Sequence, residues 1–275
     1  FENYLTEIGL VLHDIKQAKN RLARWSSKKK VKTNFGNFPA TSYVIPEPLG
    51  VTLIISSWNY PYQLSLAPVV AAIAAGNTII LKPSEISPKT SSAIATILNE
   101  GFDPKFLKVI EGGVQQTTAL LKQKFDKIFF TGSTTVGKIV YKAAAAHLTP
   151  VTLELGGKSP VFITKDANIK MAAKRIIWGK FLNAGQTCIA PDYVYVDAKV
   201  SEEFLKAATT EIVKAKYGFE NHNYVQIINE RNFDRLALLL DSSKIYHGGQ
   251  RDKSQRYIAP TILHDVNFND PIMQQ

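Results

Sequence analysis

The chain has 275 residues, 45% apolar and 20% charged, a composition that suits one large α/β domain or two smaller ones whose core needs no disulfide. Its formal charge is +10, but the lysines are spread along the chain. The one dense cluster, Lys28, Lys29, Lys30 and Lys32, reads as a solvated turn, so no nucleic-acid partner is expected.

The first 25 residues place Leu5, Ile8, Leu12, Ile15, Leu22 and Trp25 at helical spacing, as expected of a packing helix rather than a targeting segment. Residue 1 is Phe, which fits a processed or incomplete start, and without a targeting signal a cytoplasmic location is expected. Lysines, Asn34-Phe35-Gly36-Asn37 and three prolines between Ser26 and Leu49 suggest a hairpin that leaves the main body. From residue 50 short β-rich runs alternate with helices. The strands are expected at Val51–Ser56, Thr78–Leu81, Leu107–Ile110, Lys127–Thr131 and Val151–Leu155. Helices are expected at Leu64–Ala75, from Ser87-Pro88 onward, at Val114–Lys122, and from the Gly132 turn to about His147. The apolar run from Leu66 to Ala75 is broken by Pro68 and is far short of the ~20 residues of a membrane span. Beyond Leu155 the alternation resumes with strands Pro160–Ile163 and Tyr193–Val196 and helices Asn168–Phe181, Val200–Ala215 and Glu230–Leu240. Such alternation implies βαβ units and parallel sheets. The expected class is α/β, with two open parallel-sheet Rossmann-like domains and a protruding β-hairpin. Residues 1–27 with 50–153 would form the first domain, 28–49 the hairpin arm and 154–275 the second domain.

Five segments carry candidate chemistry. Cys188, the only cysteine, ends Asn183-Ala184-Gly185-Gln186-Thr187-Cys188 between a helix and a strand. A buried structural thiol is one reading. The other is a nucleophile, because small and polar neighbours suit a loop that admits a substrate and leaves amides for an oxyanion. Glu154, between Leu153 and Leu155 at the end of an apolar strand, is expected to be buried and hard to ionise, which suits a general base. An exposed edge residue paired with a lysine is the alternative. Gly156-Gly157 beside it suggest close backbone approach by a partner or cofactor.

Phe130-Thr131-Gly132-Ser133-Thr134-Thr135-Val136-Gly137-Lys138 turns a strand into a helix, where exposed amides bind phosphate. It approaches GxxxxGK[ST], but Ile139 stands where a Mg²⁺-binding hydroxyl is needed, so phosphoryl transfer is not expected. A plain helix cap remains the alternative. Lys82 and Glu85 follow a strand, where they either reach ribose hydroxyls or form an incidental ion pair. Asn59 sits in Trp58-Asn59-Tyr60-Pro61, and its amide is placed to donate to an oxyanion, with Trp58, Tyr60, Tyr62 and Phe181 as an apolar pocket. A polar turn with core aromatics is the competing reading. The five histidines, His13, His147, His222, His247 and His264, have no ligand spacing, and no metal is expected.

In order, WNYP, KPSE, FTGS, ELGGK and GQTC resemble the aldehyde dehydrogenase superfamily across nearly the whole chain. The wording around them is most similar to the class 3 branch, which includes fatty and aromatic aldehyde dehydrogenases. That resemblance implies NAD- or NADP-dependent oxidation of an aldehyde to a carboxylic acid, with the first domain binding the cofactor and the second catalytic. Cys188 would be the nucleophile, Glu154 the base that activates water, and Asn59 with the Cys188 amide the oxyanion site. Lys82 and Glu85 would hold the adenosine ribose and Gly132 to Gly137 (with Ser133, Thr134, Thr135 and Val136) would face the pyrophosphate. Trp58, Leu155 and Gly156 would complete the cofactor site. Relatives form dimers, so a homodimer is expected, with medium-chain or aromatic aldehydes as substrates. Members of the family continue past a segment like Pro271 to Gln275 into an E-I-F-G-P motif that steadies the nicotinamide ribose, so a polypeptide ending at Gln275 is expected to bind cofactor weakly. Acyl-CoA or acyl-phosphate reduction, which dispenses with the water-activating carboxylate, and a non-catalytic scaffold are the rival readings.

Overall fold

The computed structural model describes residues 3–218, 221 and 223–274. Phe1, His222 and Gln275, all invoked above, lie outside the described residues. The chain forms two compact units, Phe1–Leu155 and Gly156–Gln275.

In the first unit a π-helical turn, Tyr4–Ile8, runs into α1 (Gly9–Trp25). Only Val11 of α1 is fully buried, and Leu12, Leu22 and Trp25 remain exposed, so the expected packing helix packs along one narrow line. β1 (Lys29–Val31) and β2 (Ser42–Val44) then pair antiparallel, with Lys30 opposite Tyr43. The lysine cluster is exposed as expected, but Lys29 and Lys30 belong to a strand rather than a turn, and Lys28 Nζ lies 4.7 Å from the centre of the Tyr43 ring. The arm's return is fixed by Asn77, which is buried. Its Oδ1 accepts from Leu49 N at 2.8 Å and Gly50 N at 3.0 Å, while its Nδ2 donates to Ala72 O at 3.3 Å.

A five-stranded parallel sheet follows. Its strands are β3 (Val51–Ile55), β4 (Thr78–Lys82), β5 (Leu107–Val109), β6 (Lys127–Gly132) and β7 (Val151–Leu155), in the order β5-β4-β3-β6-β7. Parallel strands require crossovers. These contain α2 (Pro61–Ala74), α3 (Pro88–Gly101), α4 (Val114–Leu121) and α5 (Thr134–Ala145). α2 begins three residues before the apolar periodicity predicts and ends at Ala74; Gly76, after the C-cap Ala75, has a φ of +80°, which suits the left-handed residue after a helix. The sheet is covered on both faces. Ile54, Ile79, Leu81, Leu107 and Val109 pack with Val69 and Ile94, while Leu53, Ile55, Ile128 and Phe130 pack with Val140 and Ala144. Truncating a fully buried core leucine such as Leu81 to alanine costs roughly 2–5 kcal/mol.

In the second unit β8 (Ser159–Ile163) and β9 (Pro191–Val196) are the parallel pair, joined through α6 (Ile169–Phe181). The parallel pairing of this unit is thus confined to two strands among the described residues. Asn168 caps α6 by accepting from Met171 N at 3.1 Å. α6 and α7 (Ser201–Ala215) close over these strands, burying Ile163, Ala173, Ile177, Phe204 and Ala208. α8 (Glu230–Ala237) is followed by β10 (Ile245–His247), which pairs antiparallel with β13 (Ile262–Leu263). Between them lies the hairpin of β11 (Arg251–Asp252) and β12 (Tyr257–Ile258). No described helix is long and apolar enough to cross a membrane.

Candidate active site

Because all five strands of the first sheet are parallel, their carboxyl ends lie along one edge, and the segments that follow them stand side by side. The strand order reverses between β3 and β6, since β4 and β5 extend the sheet on one side and β7 on the other. Such a switch point is where open α/β sheets bind ligands. Trp58, Asn59 and Tyr60 follow β3, Gly132 ends β6 with Ser133 to Gly137 following it, Lys82 ends β4 with Glu85 three residues on, and Glu154 and Leu155 end β7. The fold therefore gathers four of the five sequence motifs on one edge, a placement that sequence spacing alone did not reveal.

Lys82 is the last residue of β4 and its side chain is only 3% exposed. Its Nζ donates to Glu85 Oε2 at 2.6 Å. Partial burial pulls the Glu85 pKa up, but the hydrogen bonds from Lys82 Nζ and from its own backbone amide, with the Lys82 charge, outweigh that and hold it below the ordinary carboxylate range. A Cβ on Gly113 would lie 3.9 Å from Glu85 Cγ, so the loop after β5 borders the same pair.

At β6 the turn is a helix N-terminus. Ser133 caps α5, its Oγ accepting from Val136 N at 3.4 Å. Helix geometry leaves the preceding first-turn amides without intrahelical acceptors. A Cβ on Gly137 would meet Leu155 Cδ2 at 2.9 Å, which is why α5 approaches β7 so closely. Thr131, one residue before Gly132, keeps its hydroxyl buried without a hydrogen-bond partner, a cost of about 1–3 kcal/mol.

Two expectations need correction. Glu154 is exposed, not buried, because β7 is the edge strand of the sheet, and it is Val151, Leu153 and Leu155 that turn toward the core. The desolvation on which the general-base reading rested is missing from this unit. Phe181 is 8% exposed and packs against Tyr217 and Tyr224, with ring centres 5.6 and 6.4 Å away, so it is a core residue of the second unit rather than part of an open pocket. Trp58 and Tyr60 are half-buried, and Tyr62 packs against the first core. Gly156 and Gly157 have open space where a Cβ would stand, so no protein group crowds them.

Cys188, in the second unit, is exposed, which removes the buried-thiol reading. It follows a 3₁₀ turn, Leu182–Gly185, and precedes β9. Asn183, Ala184 and Gly185 have φ values of +51°, +52° and +76°. Gly185 adopts this without penalty, whereas Ala184 does so at roughly 1–2 kcal/mol. Strain of this kind is maintained only where surrounding contacts enforce it. Gln186, which sequence reasoning passed over, supplies them: its Nε2 donates to Asn183 O at 3.2 Å and Gln226 O at 3.1 Å, and its Oε1 accepts from Ile228 N at 2.9 Å. Asp192 closes the far end of the loop, pairing with Lys180 at 3.4 Å and with Lys158, whose Nζ also donates to Ile272 O at 2.8 Å. The signal for Gln186 was absent from the motif, because its partners lie 40 and 42 residues away. No cluster of three metal-ligating side chains occurs among the described residues.

Residues 5–275 match the sequence pattern of the aldehyde dehydrogenase family. The chain is 47% identical to the dimeric NADP-preferring aldehyde dehydrogenase of Mus musculus, over 99% of this chain and 61% of that protein. It is also 47% identical to the 4,4'-diaponeurosporen-aldehyde dehydrogenase of Staphylococcus aureus, over 100% of this chain and 61% of that protein. Among solved structures, the substrate-bound state of Staphylococcus aureus AldH superposes with a TM-score of 0.96 at 45% identity, covering all of this chain and 61% of the other. A Mycobacterium tuberculosis aldehyde dehydrogenase complexed with NAD+ superposes with a TM-score of 0.84 at 28% identity, covering 95% and 57%. The chain thus spans about 60% of the length of these relatives, and over that span it belongs to the aldehyde dehydrogenase family.

Proposed function

We propose that the protein oxidises aldehydes to carboxylic acids with NAD or NADP, in the reaction aldehyde plus NAD(P)⁺ plus water to carboxylate plus NAD(P)H plus two protons. The observation that carries this reading is the switch-point edge of the parallel sheet, where the Asn59 turn and the α5 N-terminus flank the reversal in strand order. The mouse relative is named NADP-preferring and the mycobacterial one was solved with NAD+.

The residues on that edge fit a dinucleotide. Lys82 and Glu85 offer a cation and an acceptor for ribose hydroxyls. The α5 N-terminus offers amides to a pyrophosphate. The orphaned Thr131 hydroxyl and the uncrowded Gly156 backbone leave a polar atom and open space for a bound group. Bound there, the cofactor supplies a hydride acceptor.

Cys188 contributes the thiolate that adds to the aldehyde carbon, and its exposure gives substrate access. The Asn59 side-chain amide and the Cys188 backbone amide stabilise the oxyanion of the thiohemiacetal. Once hydride has left, the acyl group remains on Cys188 Sγ as a thioester, and Glu154 takes a proton from the water that hydrolyses it. Trp58, Tyr60 and Tyr62 favour medium-chain or aromatic aldehydes. The lost burial of Glu154 does not remove it from this role, since a solvent-facing carboxylate still accepts a proton from water. A homodimer built through the β1–β2 arm completes the proposal.

The test is NADH and NADPH production on hexanal, benzaldehyde, acetaldehyde and succinic semialdehyde, with free carboxylate measured in the absence of coenzyme A. Expected are turnover on the first two aldehydes, hydrolytic product, and loss of both with C188S. Product that appears only with coenzyme A, or activity that survives C188S, overturns the reading.

A further inference from the structure

We propose that Glu7 is a positioning residue that fixes the Asn59 turn, an inference that rests on Asn59 acting as an oxyanion donor. Glu7 lies in the π-helical turn Tyr4–Ile8 and is 8% exposed. It shares the inner side of the N-terminal helix with Val11, four residues on, which is 1% exposed. A buried carboxylate is costly unless it is hydrogen-bonded. Glu7 Oε2 meets that need by accepting from Tyr62 N at 2.8 Å and Gln63 N at 3.2 Å.

Those two amides are the second and third of α2, the donors that an N-cap side chain takes. The residue at the N-cap position, Tyr60, makes no side-chain cap hydrogen bond, and Pro61 at the first helical position has no N–H. A carboxylate 55 residues earlier in the chain therefore does the capping, and its charge complements the positive end of the helix dipole. No other buried carboxylate is found among the described residues.

The consequence falls on the segment just before the helix. Ser56 anchors its upstream end: Ser56 N donates to Lys82 O at 3.1 Å, and its Oγ lies 2.7 Å from Ser65 Oγ. Glu7 anchors the downstream end at Tyr62. Asn59 sits midway between the two anchors. Removing Glu7 frees one end of this short span and lets the Asn59 amide drift. Misplacement of a reacting group by about 1 Å costs on the order of 100-fold in rate.

The experiment is a double-mutant cycle on the purified protein, with kcat/KM for hexanal and the NAD⁺ dissociation constant as readouts. E7L keeps the volume and removes the acceptor, and it is expected to lower kcat/KM about 10- to 100-fold while the NAD⁺ constant moves less than about two-fold. In an N59A background E7L is expected to have no further effect, because a residue acting through Asn59 has nothing left to position. E7Q keeps one acceptor oxygen and is expected to recover most of the rate. V69A, which loosens the middle of α2, controls for general destabilisation and is expected to stay within about two-fold of the parent rate. Multiplying effects of E7L and N59A, or a V69A loss equal to that of E7L, overturn the proposal. An N59A variant with the parent rate overturns the oxyanion role itself and the proposal with it. If E7L does not fold, the same cycle is run with E7Q, where a loss of about three-fold that vanishes in N59A supports the proposal and a loss that persists there overturns it.

Discussion

Cys188 faces solvent and Glu154 does too, and both exposures have kinetic consequences. Replacing Cys188 with serine is expected to reduce NAD(P)H production by at least ~10³-fold, measured at steady state. E154Q is expected to slow turnover by roughly 10²- to 10⁴-fold while leaving one rapid burst of NADH per active site, because hydride departs before water is needed. A missing burst in stopped flow sinks the assignment of Glu154 to hydrolysis. The Lys82–Glu85 pair makes a prediction in pH. The folded carboxyl titrates below its ordinary value, so the pair's stabilisation is present above about pH 4.5 and is lost as pH falls through the lowered value. E85Q is expected to flatten the acid limb of a Tm-versus-pH curve, modestly because Glu85 is 44% exposed. The same substitution is expected to raise the ratio of NADPH to NADH produced, since it removes a negative charge that opposes a 2′-phosphate. At this scale the exposure of Cys188 was legible from its polar hexapeptide. The exposure of Glu154 was not: its flanking leucines announce a buried strand, and only the sheet order reveals that β7 is the last strand on its side of the sheet among the described residues.

At the scale of elements, α5 and β7 are locked by a missing side chain. G137A would drive a methyl group to 2.9 Å from Leu155 Cδ2 and is expected to cost about 1–3 kcal/mol, read as a lowered Tm. G156A meets no protein atom within 4 Å and is expected to leave Tm unchanged while weakening NAD⁺ binding, measured by fluorescence titration. Unchanged binding removes Gly156 from the cofactor site. The strands and their helices were readable from the alternation of apolar runs and turn signals, mostly within one or two residues at each end. The start of α2 was not, since the periodicity begins at Leu64 while the helix begins at Pro61 under a cap supplied by Glu7. Likewise the Cys188 loop is held by Gln186 through partners near residue 227 that no local pattern announces. Propensity reports what neighbours in sequence prefer, and these elements are set by groups distant in sequence.

At the scale of the whole molecule, the β1–β2 arm carries Phe35 and Phe38, 90% and 80% exposed, with ring centres 6.4 Å apart. Large apolar rings in water mark an association surface. If the proposed homodimer is built through this arm, replacing both with serine is expected to shift it toward monomer in sedimentation velocity while thermal unfolding changes little. A dimer that survives both changes assigns association to another surface. The arm was legible in outline from its lysines, prolines and Asn-Phe-Gly-Asn run. The single thiol of these 275 residues has a last consequence, in redox chemistry. An oxidant that converts the exposed Cys188 to a sulfenic acid leaves it without a second cysteine in this chain to close a protective disulfide. In a polypeptide of these 275 residues reversal then depends on a small thiol from outside, and in its absence further oxidation is permanent, so peroxide is expected to abolish the proposed Cys188 chemistry of that polypeptide irreversibly unless glutathione is present first.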